Sequence, residues 1–316
     1  MTPDSSCECG WEALLGDPLP WLLDEHRPNL HWRVLVELVG RPVDSPAVCR
    51  ARGGASAAHP VATLLRDLQP DGTWATAIST WRRYDGPGWR FVASVAWGAD
   101  PTDPRLGAAA RRFLEDSPGE GGFSVGRGRL PSPVVTARLV QALALLGFGG
   151  HLRVQEALAW FEEESSAWPD REPARAVVAA ALLPAVAAVG PRRLVLEQRL
   201  IDRARTAAGC GIRAFSALGF PNLGRTDLGE LMAALALSGT PYAGWMRAPL
   251  ACLQRLQGPG GRWHRHRPRP ASLPVPPAFR GLPGQQCRWV TLRAVVAMNA
   301  YAADAGLPRL FPQRPE

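Results

Sequence analysis

Gln69-Pro70-Asp71-Gly72-Thr73-Trp74 and Gln257-Gly258-Pro259-Gly260-Gly261-Arg262-Trp263 decide the reading of this chain. Each follows an apolar-periodic helical segment, Val61 to Leu68 in one case and Leu250 to Leu256 in the other. The chemistry of such a unit is structural. Glutamine can hydrogen-bond the orphan carbonyls at a helix end, glycine permits the left-handed turn that stops the helix, and tryptophan covers the turn with an apolar face. Weaker copies recur, with the closing aromatic at Trp74, Phe123, Trp168, Phe215 and Trp263, in steps of 49, 45, 47 and 48 residues. A near-constant interval of that length holds a helical hairpin and marks a repeat array.

Two series of helices alternate around these turns. Segments 57–69, 104–116, 151–163, 194–209 and 246–257 carry charge on one side, as at Arg111, Arg112, Glu115 and Asp116, and suit an outer layer facing water. Segments 89–98, 133–146, 173–189, 227–238 and 288–303, with 29–39 counted among them, are richer in Ala, Val and Leu, as helices buried on two sides would be. A second echo opens two of the inner helices: Val135-Thr136-Ala137-Arg138-Leu139-Val140 matches Val290-Thr291-Leu292-Arg293-Ala294-Val295. No segment reads as a strand, so the fold class is all-α. Residues 1–16 read as a flexible tail, 17–56 as an N-terminal helical extension with a connector from Arg41 to Gly54, and 57–316 as one repeat domain. The segments 75–88, 124–132, 216–226 and 264–286 would emerge on one end of the array, where such a scaffold carries function. The Pro-rich 264–286 segment is long enough to act as a lid.

Composition excludes several classes of chemistry. All 36 basic residues are Arg, and the net charge of +8 is spread along the chain except in the Arg262–Arg269 stretch. That pattern reads as coding bias rather than a nucleic-acid surface, and the missing lysine rules out a Schiff base and a P-loop. Six cysteines without a C-x-x-C pair, and a first stretch that is acidic and lacks an apolar core, fit a reducing cytoplasm. The longest apolar run, Ala176 to Val189, contains Pro184 and is too short to span a bilayer. No nucleophile elbow, zinc-protease motif, dinucleotide fingerprint or paired-carboxylate spacing occurs.

The glutamine-to-tryptophan units after amphipathic helices resemble the QW repeats of the terpenoid cyclase and protein prenyltransferase superfamily, in which squalene–hopene cyclase is found. The resemblance covers roughly residues 57 to 304. It implies an α/α toroid, here of about six helical hairpins, with an inner ring of helices inside an outer ring and an apolar central cavity. It also implies an apolar, isoprenoid-type ligand in that cavity. The superfamily's Asp-x-Asp-Asp acid run, its Asp-Asp-x-x-Asp magnesium signature and its Asp-x-Cys zinc pair are all missing from this sequence. Cys287 with His264 and His266 is the nearest approach to a zinc set, among arginines that would repel a cation. No metal and no other cofactor is expected.

Isolated acids remain as candidate donors. Asp227 opens an inner helix with Glu230 three residues on, which is a capping box; at the mouth of an apolar cavity it could instead serve as a general acid. Asp85, between Tyr84 and Gly86-Pro87-Gly88-Trp89, offers the same choice between turn residue and acid. Trp81, Tyr84, Trp89 and Trp289, with Arg90, are the candidate ligand-binding residues, since aromatic faces stabilise carbocations and bury isoprenoid chains. Two readings follow: a cyclase-like or prenyltransferase-like protein using Asp227 or Asp85, or a non-catalytic binding or interaction module on a degenerate toroid. Peripheral membrane contact and oligomeric state stay open.

Overall fold

The structure, a computed structural model, describes residues 15–75, 81, 84–115, 121–124, 130–163, 168–189, 193–209, 215–267, 273–274, 282–301 and 304. The weak repeat turn at 211–214, the arginines at 82 and 83, three of the cysteines and most of the expected lid lie outside these residues.

The described chain is helical. Its helices are α1 (Leu19–Leu22), α2 (Pro28–Glu37), α3 (Pro46–Gly53), α4 (Val61–Leu64), α5 (Pro87–Ala96), α6 (Pro104–Glu115) and α7 (Pro133–Leu145). They continue with α8 (Leu152–Glu163), α9 (Glu172–Ala188), α10 (Leu194–Gly209), α11 (Leu228–Leu237), α12 (Arg247–Arg255) and α13 (Arg288–Tyr301). The described strands are two residues each, β1 (Gln257–Gly258) and β2 (Arg262–Trp263), paired antiparallel across the last repeat turn. Proline occupies the first turn of α2, α3, α5, α7 and α9, where its missing N–H has no intrahelical partner to lose.

That rule corrects one expectation. The connector expected from Arg41 to Gly54 contains α3, because Pro46 starts a helix rather than breaking one. Trp32 of α2, Val48 of α3 and Ala55 form a small core of their own. The outer segment expected over 57–69 keeps only the single turn α4, since Leu68 leaves the helix to pair with Trp74 in a β-bridge.

Burial separates the two series. Helices α5, α7, α9, α11 and α13 are buried on nearly every face. Helices α6, α8, α10 and α12 bury one stripe each, as Leu106, Ala109, Ala110 and Leu114 do on α6. The buried series packs in chain order, α5 on α7, α7 on α9, α9 on α11 and α11 on α13, and α13 then touches α2. The circuit is completed where Asn29 Nδ2 donates to the Trp97 carbonyl at 2.9 Å and Trp32 Nε1 donates to that of Gly98 at 2.8 Å. The packing is that of an all-helical, toroid-like double layer. Among the described residues, no helix is long and apolar enough to cross a membrane.

The repeat turns work through the indole rather than the amide. Trp74 Nε1 donates to the Leu64 carbonyl at 3.1 Å, Trp168 Nε1 to that of Phe161 at 3.0 Å, and Trp263 Nε1 to that of Leu253 at 2.7 Å. Each indole thereby donates to a carbonyl in the last turns of the preceding outer helix; that of Leu253 also accepts the Leu256 N–H at 3.1 Å. Glutamine does other work: Gln257 Oε1 accepts the Leu15 N–H at 3.0 Å, fixing the N-terminal segment to the last turn. Gly72 has φ +83°, and a Cβ there would lie 2.4 Å from the backbone of Ala108 and Ala109. Only glycine lets this turn rest on α6.

The Val-Thr-x-Arg echo has a matching explanation. Thr136 Oγ1 accepts the N–H of Phe123 at 2.7 Å, and Thr291 Oγ1 accepts that of Trp263 at 2.9 Å, so each threonine ties an inner helix to its turn. Trp263→Phe keeps the ring and removes the donor to Leu253. It is expected to lower stability by about 0.5–1.5 kcal/mol in urea unfolding, and Trp263→Ala by about 3–5 kcal/mol. Equal stability of wild type and Trp263→Phe would contradict the capping role.

Candidate functional site

The centre of the ring is charged. Glu230, in the first turn of α11, points at α7 and α13, and the two echoed arginines converge on it. Arg138 Nη1 and Nη2 donate to its two carboxylate oxygens at 2.9 and 3.0 Å, and Arg293 Nη2 donates at 3.1 Å. Thr226 Oγ1 donates at 2.7 Å. Arg138 is 1% exposed and Glu230 4%. The remaining Arg138 donors go to the carbonyls of Leu223 and Arg225 and to Gln141 Oε1, so all five N–H groups are used. Burial pushes the Glu230 carboxyl up, but the Arg138 and Arg293 guanidinium charges, with their hydrogen bonds and that of Thr226, bring it down to about 2.

Aromatic rings fill the space beside this triad. Phe220 stacks on Trp289 with centroids 4.8 Å apart and planes 2° apart, and meets Trp97 edge-on at 5.5 Å. The Arg293 guanidinium lies 4.8 Å from the Phe220 centroid. What remains is a hollow of about 60 Å³, walled by Val92, Val95, Arg138, Ala142, Phe220 and Trp289 among others.

Phe220 is held there by Asp227. Asp227 Oδ1 accepts the Glu230 N–H at 2.9 Å and so caps α11. Its Oδ2 accepts from Gly219 N at 2.9 Å, Asn222 Nδ2 at 2.8 Å and Arg267 Nη2 at 3.0 Å. Four donors thus fold the 219–227 loop around the carboxylate. Only half of the expected capping box forms, because the Glu230 side chain turns inward to the arginines.

The other expected site residues gather elsewhere. Trp89 packs edge-on to Trp81 at 5.2 Å and against Tyr84 at 5.0 Å, and Trp81 leans on Phe113 of α6 at 6.2 Å. Arg90 bonds the Asp85 carbonyl at 2.9 Å and Asp67 Oδ2 at 3.2 Å. These five residues form one cluster over the start of α5, and none of them lines the hollow. Trp289 does line it. Arg138, Glu230, Arg293 and Phe220 were not picked from the sequence as site residues, although the echo had already put Arg138 and Arg293 at equivalent positions.

A second pocket, of about 300 Å³, lies behind Trp289 and Trp97, between the starts of α2 and α13. Leu30 and the two indoles supply apolar wall; Arg27, Arg265 and Arg288 supply charge. Cys287 also lines it and receives Arg265 Nη2 at 3.2 Å from Sγ. His266 Nδ1 accepts the Leu218 N–H at 3.2 Å. Among the described residues, no three His, Cys, Asp or Glu side chains come together as a metal site.

Comparison with family models and with curated proteins finds no match. Among solved structures, the chain is similar to the type II terpene cyclase MstE from Scytonema, with 17% identity, 88% of each chain covered and a TM-score of 0.43. A likeness of that degree carries no inference about ligand or reaction, and the fold rests on the helix packing itself.

Because the folded Glu230 carboxyl titrates below its ordinary 4.5, the unfolded chain binds its proton more readily. The stabilisation from the triad is therefore full above about pH 4.5 and is lost as pH falls through about 2. Urea unfolding of wild type is expected to lose stability across that window more steeply than Glu230→Gln does. Parallel pH profiles for the two proteins would contradict the arrangement.

Proposed function

We propose that this chain is a non-catalytic binding module built on a toroid-like scaffold, and that it takes no isoprenoid into its ring. The observation that carries this reading is the occupied centre. A hollow of about 60 Å³ accommodates a few waters at most, at roughly 30 Å³ of liquid volume each. Pockets for small organic molecules run to about 300–1,000 Å³. The plug is also structurally committed: Phe220 reaches the centre on a loop that Asp227 anchors, and the triad joins α7, α11 and α13 across the gap.

Acid-initiated cyclisation asks for more than the arrangement offers. A proton donor has to face a chamber that holds the substrate. Asp227 is wrapped inside its own loop by four donors, and Asp85 belongs to the cluster over α5. For either to act, the 219–227 loop or the start of α5 would have to refold around the substrate.

Native mass spectrometry of the full chain purified from cells tests the reading. The mass is expected to show no isoprenoid, and added farnesol is expected to leave it unchanged. A stoichiometric isoprenoid adduct would overturn the proposal. Phe220→Ala, which empties the plug, is expected to cost about 3–5 kcal/mol in urea unfolding. A stability unchanged by that substitution would mean that the centre is not packed as described.

A further inference from the structure

The second pocket carries an inference of its own, which rests on the preceding reading only in placing ligands outside the ring's hollow. Its lining includes Arg27 and Leu30 at the start of α2, Trp97 at the end of α5, Arg265 after the last repeat turn, and Arg288 and Trp289 at the start of α13. Three guanidinium groups line it, and among the described residues no carboxylate does. The nearby acid is Asp24, which lies outside the lining and meets Arg288 Nη2 at 3.0 Å and Arg27 Nε at 3.5 Å. One carboxylate therefore serves two guanidiniums. Arg262 adds a further positive charge: the Arg262 and Arg288 guanidiniums lie 4.6 and 4.5 Å from the centroid of Trp21. Burial first, and then the charges of Arg27 and Arg262, pull the Arg288 guanidinium below its ordinary value, and Asp24 offsets part of this.

Donors remain available on the same side chains. Arg288 spends Nε on the Trp21 carbonyl and Nη2 on Asp24, and makes no further hydrogen bond among the described residues. Among the described residues the Arg27 side chain meets Asp24 alone, and it is 46% exposed. Leu30, Trp97 and Trp289 also line the pocket, Trp289 being the most exposed of the three. We infer that this pocket binds a small organic anion, its charged group between Arg27 and Arg288 and its short apolar body against Leu30, Trp97 and Trp289. Guanidinium forks match planar oxyanions with paired hydrogen bonds, and indole faces bury an alkyl chain at little entropic cost.

Isothermal titration of the full chain with hexanoate, its neutral analogue hexanamide and inorganic phosphate, all at one ionic strength, tests the inference. Hexanoate is expected to bind roughly tenfold or more tightly than hexanamide, because only the acid engages the arginines. Phosphate, which has no apolar body, is expected to bind more weakly than hexanoate. Arg27→Gln, at an exposed position, is expected to weaken hexanoate several-fold while leaving the unfolding midpoint unchanged, and Arg112→Gln on α6 is expected to leave hexanoate binding as it was. Equal binding of acid and amide, equal binding of phosphate, no binding of hexanoate at all, or no effect of Arg27→Gln would each overturn it. None of these results bears on whether an isoprenoid enters the ring, so the two readings fail separately.

Discussion

Burying the Glu230 carboxylate between Arg138 and Arg293 is the constraint on which the rest of the ring depends. Taking such ions out of water costs several kcal/mol each, and their attraction offsets this only where every donor and acceptor is used. That condition is met at two of the three groups: four donors reach the carboxylate and all five Arg138 donors find acceptors, while Arg293 Nη1 is buried without a partner among the described residues. Residues 138, 230 and 293 belong to three different inner helices, so the network works only if those helices hold one relative position. A ring of helices joined side by side could breathe, but one pinned across its middle cannot do so without stranding a buried charge.

The aromatic plug follows from the same geometry. Arg293 sits over Phe220, Phe220 stacks on Trp289, and Trp97 closes the edge. The loop carrying Phe220 is folded around Asp227, whose other oxygen caps α11 and so positions the helix that presents Glu230. Charge network, plug and cap are one cooperative unit. Two of the same indoles, Trp97 and Trp289, also line the second pocket with Arg27, Arg265 and Arg288.

Much of the fold was legible in the sequence because its signals are local. The interval between glycine–aromatic turns told outer from inner segments, and apolar content separated helices buried all round, such as α9, from those with one buried stripe, such as α6. Pro46 misled, since proline both ends and begins helices and only its neighbours in space decide which. The glutamine of the repeat turn was assigned a capping role that the indole N–H performs, because reach and direction are not visible in spacing.

The site was harder to read. Asp227 as an N-cap was visible, with Glu230 three residues on, but the inward turn of Glu230 depends on two arginines that are 92 and 63 residues away in the chain. The repeat placed those arginines at matching positions without showing that they share one partner. Nor could any pattern show that a loop residue, Phe220, fills the hollow. The expected aromatic cluster at Trp81, Tyr84 and Trp89 does assemble, but as packing between α5 and α6.

A double-mutant cycle between Arg138 and Glu230, read by urea unfolding of Arg138→Met, Glu230→Gln and the double variant, tests the central claim most directly. The account predicts strong coupling: each single change strands a buried partner and costs about 3–5 kcal/mol, and the double change costs far less than their sum. Additivity within about 0.5 kcal/mol would mean that the two groups do not meet at the centre of the ring, and the closed interior would fall with them.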